Sequence, residues 1–171
     1  LLAEAGYPGG QGFPPVAAFF WASRHEDAAS YLKTQWLENL GIEITWEMVD
    51  SLTREREFQR GQWENPHLFL SGWIADYPDP DNFLRLGALT TMLTQWSSPA
   101  YKGLIERAGS ATSQTERLKL YGQADRMIVE EAVVLPLTYG RQHFLVKPWV
   151  ARYPLSPIGD FFCKDVVLEP H

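Results

Sequence analysis

The segment GWIADYPDPDN, residues 72–82, contains the residue types that could bind a charged ligand. It follows a hydrophobic run and places Trp73 three residues before Asp76. An indole beside a single carboxylate suits a ligand with an ammonium group and an apolar body. Ligand contacts in α/β proteins also gather at the carboxyl ends of strands. Trp73 and Asp76 are therefore candidate ligand contacts, and an ordinary strand-to-helix turn is the alternative.

The two later acidic residues of this segment, Asp79 and Asp81, indicate turn chemistry. Proline presets the backbone, and Asp and Asn side chains accept local hydrogen bonds, so Asp81 could cap the short helix NFLRLG. A calcium loop needs acidic ligands at its first, third and fifth positions and glycine at its sixth. Counted from Asp79, the fifth position is Phe83 and the sixth is Leu84. We therefore expect no metal at this cluster.

The rest of the sequence carries no motif of an enzyme or a cofactor site. The GxSxG, Walker and GxGxxG patterns are absent, and no HExxH pair is present. The histidines lie far apart, at His25, His67, His143 and His171. We therefore predict a protein without catalytic residues, metal or cofactor. An enzyme that acts through the clustered carboxylates ranks last among the alternatives.

The composition is that of a globular protein. Of the 171 residues 45% are hydrophobic and 21% are charged, and the net charge of −6 makes nucleic acid a poor partner. Cys163 is the only cysteine, so an internal disulfide is excluded. The opening LLAEAGYPGG reads as the last turns of a helix closed by Gly6. From this opening we expect the chain to be a fragment of something longer.

Hydrophobic periodicity predicts strands that alternate with helices. The predicted strands cover 16–22, 42–49, 67–74, 132–140, 142–150 and the tail 165–170. The predicted helices cover 26–41, 51–61, 82–87, a segment begun by Ser98-Pro99, and one begun by a capping box at 113–116. This order predicts an α/β fold, a single lobe with a mixed sheet flanked by helices.

Three segments together resemble a known family. They are GWIADYPDPDNFL, LLAEAGYPGG upstream of it, and ERLKLYGQADRMIVEEAVVLPLTYGRQHFLVKPWV downstream. The chain is similar, over nearly its whole length, to the C-terminal lobe of family 5 extracellular solute-binding proteins. These are the oligopeptide- and dipeptide-binding proteins of ABC transporters. The resemblance implies the periplasmic-binding-protein-like type II fold, with residues 1–171 as one C-terminal lobe and an N-terminal lobe of the same protein missing.

The resemblance also implies a function and a set of site residues. In the family an oligopeptide ligand is enclosed between two lobes and is delivered to ABC permease subunits. By motif position Asp76 meets the charged amino terminus of the peptide, and Trp73 lines a side-chain pocket. Gly72 and Ile74 offer main-chain groups to the peptide as to an added strand, and Tyr77 borders the site. The implied location is the periplasm or the cell surface, with a lipid anchor as one option in the full-length protein.

Two other functions stay open at this point. Such a lobe can serve as the ligand-sensing domain of a bacterial transcription regulator in the cytoplasm. A family member can also bind a non-peptide solute, such as nickel, heme or an oligosaccharide. Some oligopeptide binders carry an arginine at the position of Leu70, so fixed capture of the peptide carboxyl end is in doubt here.

Overall fold

The computed structural model describes most of the chain as two compact units, Leu1–Gly72 and Trp73–His171. The described residues are 1–21, 25–49, 67–86, 96–141, 143–156 and 162–170. The helix predicted over 51–61 lies outside these ranges. Whether the chain forms one lobe of a larger protein stays a prediction.

The first unit is built on a parallel sheet with the strand order β2-β1-β3. The central strand β1, Val16–Trp21, pairs in parallel with both β2, Ile44–Val49, and β3, Leu68–Leu70. Because side chains alternate along a strand, every second residue of β1 is available to one face of the sheet. Among the described residues of this unit, the buried ones are Val16, Ala18, Phe20, Ala29, Ile42, Ile44 and Leu70.

Helix α1, Glu26–Leu40, ends at Gly41 as the sequence predicts. Gly41 has φ +68°, and a Cβ there would clash with the carbonyl oxygen of Gly9. The spacing of four predicts an apolar face formed by Ala28, Leu32, Trp36 and Leu40. Its middle is confirmed, because Leu32 and Trp36 pack against the core, but Ala28 and Leu40 are exposed and Ala29 is buried instead. Residues spaced by four advance about 40° around a helix at each step. A long row with that spacing therefore cannot stay against a flat sheet.

Strand β3 is much shorter than the predicted 67–74. It pairs only with Ala18–Phe20 of β1, so the ladder ends at Leu70. The apolar pattern continues to Ile74, but a strand extends only as far as a neighbour pairs with it. Trp73 consequently lies three residues beyond the last paired residue.

The second unit packs two helices against each other, α2, Pro99–Ser110, and α3, Gln114–Glu130. Both predicted starts are confirmed, because Ser98 Oγ accepts from the Tyr101 N–H at 3.3 Å and Ser113 Oγ from the Glu116 N–H at 3.4 Å. The core of this unit consists of Leu84, Tyr101, Ile105, Ala108, Leu120, Tyr121, Ala124 and Ile128. None of the described helices is long and apolar enough to cross a membrane.

The strand predictions after α3 are mostly wrong. Of the described residues in 132–150, only the last joins a strand, β4, Val150–Arg152. Its antiparallel partner is β5, Val167–Leu168, which confirms a strand in the tail. The apolar runs indicated strands, but no described strand pairs with residues 132–141 or 143–149. Large apolar side chains of this segment, including Leu135 and Leu145, are exposed.

Candidate ligand-binding site

The side chain of Asn82 lies at the centre of the segment that contains Trp73 and Asp76. It is 0% exposed and begins a π-helical turn, Asn82–Leu86. Its Oδ1 accepts from Trp73 Nε1 at 2.7 Å and from the Asp76 backbone N–H at 3.1 Å. Its Nδ2 donates to Asp76 Oδ2 at 3.1 Å. Trp73 and Asp76 are thus brought together by hydrogen bonds to one residue.

The candidate contact residues are open to solvent. Trp73 and Tyr77 are each 39% exposed, Ile74 is 70% exposed, and Asp76 is also exposed. Within the part of the chain that the structure describes, no Arg, Lys or His forms an ion pair with Asp76. Gly72 is the last residue of the first unit, whereas the other four candidates belong to the second.

Asp79 has a structural role. Its Oδ1 accepts from the Asp81 N–H at 2.8 Å, so Asp79, and not Asp81 as predicted, caps the turn that follows. Pro80 at the next position suits the start of a helical turn, because it has no N–H to satisfy there. Both carboxylate oxygens of Asp79 also accept from the guanidinium of Arg117 on α3, with Nη2 to Oδ1 at 2.8 Å.

Asp81 is held by three side chains. Tyr121 Oη donates to its Oδ1 at 2.6 Å, Arg85 Nε donates to the same oxygen at 3.0 Å, and Tyr77 Oη donates to Oδ2 at 3.3 Å. Arg85 also donates from Nη2 to the carbonyl of Ile105 on α2 at 3.2 Å. The loop is therefore tied to both helices of the second unit.

These contacts shift the titration of both acidic residues. The hydrogen bond from Arg117 lowers the pKa of Asp79. Burial raises the pKa of Asp81, but hydrogen bonds from Tyr121 and Arg85 outweigh burial, so that the net shift is also downward. The folded protein therefore favours the ionised form of both groups.

The lowered pKa values predict a loss of stability in acid. The ordinary value for these carboxyls is 3.8, so on acidification the unfolded chain takes up protons before the folded one does. Their stabilising contribution is complete well above pH 3.8 and disappears as the pH falls below 3.8 through the lowered values. We expect the free energy of unfolding, from urea titrations of the protein, to fall more steeply from about pH 4 to pH 3 than from about pH 7 to pH 5.

The variant Asp79→Asn is the control for this acid prediction. It removes one of the two titrating groups, so its stability at neutral pH should be lower and its decline in acid should be shallower. A decline between pH 4 and pH 3 as steep as that of the unchanged protein would show that Asp79 does not contribute.

Sequence patterns did not identify the residues that organise this site. Asn82 follows Asp-Pro-Asp and looked like one more turn residue, since nothing in the pattern signals that its side chain is buried. Arg117 and Tyr121 are spaced by four on α3, which places them on one side of that helix. That spacing was a usable signal for a shared contact, but it does not name the acidic partners 38 and 40 residues earlier. The described residues contain no group of three or more His, Cys, Asp or Glu that could hold a metal ion.

Comparison with known proteins identifies the class to which this chain belongs. The profile of the bacterial extracellular solute-binding proteins, family 5 Middle, matches residues 1–91. The chain therefore belongs to the family 5 bacterial extracellular solute-binding proteins. The family resemblance in the sequence is confirmed, and the family is one of binding proteins and not of enzymes.

Individual relatives match most of the chain. The periplasmic oligopeptide-binding protein OppA of Salmonella typhimurium is 26% identical over 174 residues, which cover 100% of this chain and 32% of the relative. Heme-binding protein A of Haemophilus influenzae is 27% identical over 175 residues, which cover 93% of this chain and 30% of the relative. The chain thus spans about a third of the length of these relatives.

A solved structure supports the fold class. The Escherichia coli murein tripeptide binding protein MppA superposes with a TM-score of 0.79 and 23% identity, covering 99% of this chain and 33% of that one. At this identity the likeness concerns the fold alone. The predicted periplasmic-binding-protein-like α/β fold is confirmed, and in the described residues its main sheet is parallel.

Proposed function

We propose that the full-length protein is the solute-binding component of an ABC importer for oligopeptides. In this proposal residues 1–171 form the C-terminal lobe, and a peptide is captured in a cleft between this lobe and a second one. The protein then delivers the peptide to membrane permease subunits from the periplasm or the cell surface. Family membership and the oligopeptide-binding function named for the Salmonella relative support the proposal.

The observation that carries the proposal is the pairing of an exposed indole with an exposed carboxylate. Asn82 holds both Trp73 and Asp76, and no described cation of the protein pairs with the acid. An ammonium group therefore finds an uncompensated anion next to an aromatic face. The amino terminus of a peptide supplies that ammonium group, and its first side chain supplies an apolar body for Trp73.

Main-chain recognition completes the proposed site. Gly72 and Ile74 lie beyond Leu70, the last residue that pairs with β1. An extended peptide can add there as a further strand, and backbone hydrogen bonds of that kind are common to all peptide sequences. Tyr77 follows Asp76 in the chain, and its hydroxyl donates to Asp81. This arrangement suits recognition of peptides with varied side chains.

Native mass spectrometry of the full-length protein with a randomised tetrapeptide library tests the proposal. We expect the protein to retain tetrapeptides that have a free amino terminus, and to retain far fewer after the library is N-acetylated. Acetylation removes the positive charge and leaves the rest of each peptide unchanged. Failure of the folded protein to retain any tetrapeptide would contradict the proposal.

Heme is the second candidate, because Heme-binding protein A is as similar in sequence as the oligopeptide binder. The charge at the site argues against it, since heme carries two anionic propionates that an ionised Asp76 would repel. A heme titration followed by absorbance separates the two candidates. The family description as extracellular also argues against the cytoplasmic sensor of a transcription regulator.

A further inference from the structure

We infer that Asn82 is a positioning residue for ligand binding, which holds the Asp76 carboxylate and the Trp73 ring ready for the ligand's ammonium group. The inference rests on the proposed function and adds a residue that does not itself touch the ligand. It follows from three features: the orientation of the amide, the contrast among the three aspartates, and the way the amide is anchored.

The orientation of the Asn82 amide follows from the chemistry of its neighbours. Trp73 Nε1 and the Asp76 backbone nitrogen can only donate, so both must point to the amide oxygen. The NH₂ group then faces Asp76 Oδ2, which accepts. Because Asn82 is 0% exposed, water cannot readily replace these bonds. One side chain thus fixes both the backbone and the carboxylate of Asp76.

The contrast among the aspartates indicates what this arrangement is for. Asp79 pairs with Arg117 and Asp81 pairs with Arg85, so a positive charge of the protein offsets each of them. Asp76, in the same loop, receives a neutral amide. A neutral donor orients a carboxylate and leaves its negative charge for a ligand, whereas an arginine would compensate that charge. Asp76 is therefore an oriented anion in this loop, and no cation among the described residues pairs with it.

The position of Asn82 is itself secured by the second unit. Its backbone N–H donates to the Asp79 carbonyl at 3.1 Å. Two residues further on, buried Leu84 packs in the helical core, and its carbonyl accepts from Tyr101 Oη at 2.6 Å. The amide is consequently attached to α2 through a short, buried connection. The positions of Trp73 and Asp76, which bond to this amide, therefore depend on the same connection.

A double-mutant cycle with Asn82→Ala and Asp76→Asn in the full-length protein tests the inference. The probe is the tetrapeptide that the unchanged protein retains most strongly from the library, in its free and N-acetylated forms. We expect Asn82→Ala to weaken binding of the free form by about tenfold and of the acetylated form by much less. In the Asp76→Asn background the same change should weaken binding by less than about threefold, because the two residues act together.

Asn82→Asp tests the inference through the dependence of peptide affinity on pH, which a purely structural role of Asn82 would not change. A protonated carboxyl can accept and donate as the amide does, and burial next to Asp76 should raise the pKa of the new carboxyl. We expect affinity within about threefold of the unchanged protein at pH 5 and about tenfold weaker binding at pH 7, where the two acids repel. The unchanged protein should bind the peptide equally well at the two pH values, since the peptide amine is charged at each of them. This variant also decides the matter if Asn82→Ala does not fold.

The controls separate this inference from the proposed function. Asn39→Ala removes an exposed asparagine whose amide donates to Gln35 within α1, and it should leave affinity unchanged. If Asn82→Ala weakens both peptide forms equally, or weakens binding as much without Asp76 as with it, the inference fails. If Asp76→Asn alone leaves affinity unchanged, it is the proposed site that fails.

Discussion

Asp76→Asn in the full-length protein should weaken binding of a peptide with a free amino terminus by at least about tenfold. An ammonium group enclosed in a cleft without its anion is costly, and removing one partner of a buried pair costs about 3–5 kcal/mol. Tenfold corresponds to about 1.4 kcal/mol and is therefore a lower bound. Titration calorimetry with the free and N-acetylated tetrapeptide measures the loss, which should be confined to the free form.

The same substitution should change the free energy of unfolding by less than about 0.5 kcal/mol. Asp76 is exposed, and among the described residues its one side-chain partner is the neutral amide of Asn82. Asparagine keeps the shape of the side chain and an oxygen that can accept that hydrogen bond. The substitution is thus predicted to weaken peptide binding while leaving the stability of the protein almost unchanged.

Asp79→Asn is the matched control, because it removes the same charge three residues further along the same loop. Here the guanidinium of Arg117 loses an ionised partner that accepts on both oxygens. We expect a loss of about 1 kcal/mol in the free energy of unfolding, a moderate value because the pair is partly open to solvent. Peptide affinity should be little affected by Asp79→Asn.

For Asp76→Asn itself, an unchanged peptide affinity would show that Asp76 does not belong to the binding site.

The features that sequence predicted well are those that depend on neighbours along the chain. Ser98 with Pro99, and Ser113 with Glu116, satisfy helix N–H groups within one turn, so both helix starts could be read directly. Gly41 ends α1 for a similarly local reason, the positive φ of a helix end. These signals need no knowledge of the rest of the fold.

The features that sequence did not predict depend on distant partners. Residues 132–140 are apolar like a buried strand, but pairing decides whether a strand forms, and no described strand lies beside them. Asn82 could not be recognised as the centre of the site, because nothing in its local sequence shows that its side chain is buried. Trp73 and Asp76 could be proposed from residue type and family likeness, whereas the amide that orients them required coordinates.

The second large effect is a loss of peptide affinity when residues 1–171 are tested without the rest of the full-length protein. On the proposed two-lobe arrangement, residues 1–171 supply only one wall of the cleft. Small-ligand sites bury about 70–90% of their ligand, whereas Trp73, Ile74 and Tyr77 are open on this chain. We expect the isolated chain to bind the tetrapeptide at least about a hundredfold more weakly than the full-length protein, because much of the contact area and the exclusion of water are absent.

Measuring this effect requires a chain that is shown to be folded, because exposed apolar side chains such as Leu135 and Leu145 favour association. Circular dichroism and sedimentation should precede calorimetry, and the isolated Asp76→Asn chain provides the matched control. If the second lobe supplies the missing contacts, the two isolated chains should give the same negligible heat, while the same substitution weakens the full-length protein at least about tenfold. Sub-micromolar binding of a tripeptide by the isolated chain would mean that one lobe is a complete site, and the enclosed-cleft mechanism would then be wrong.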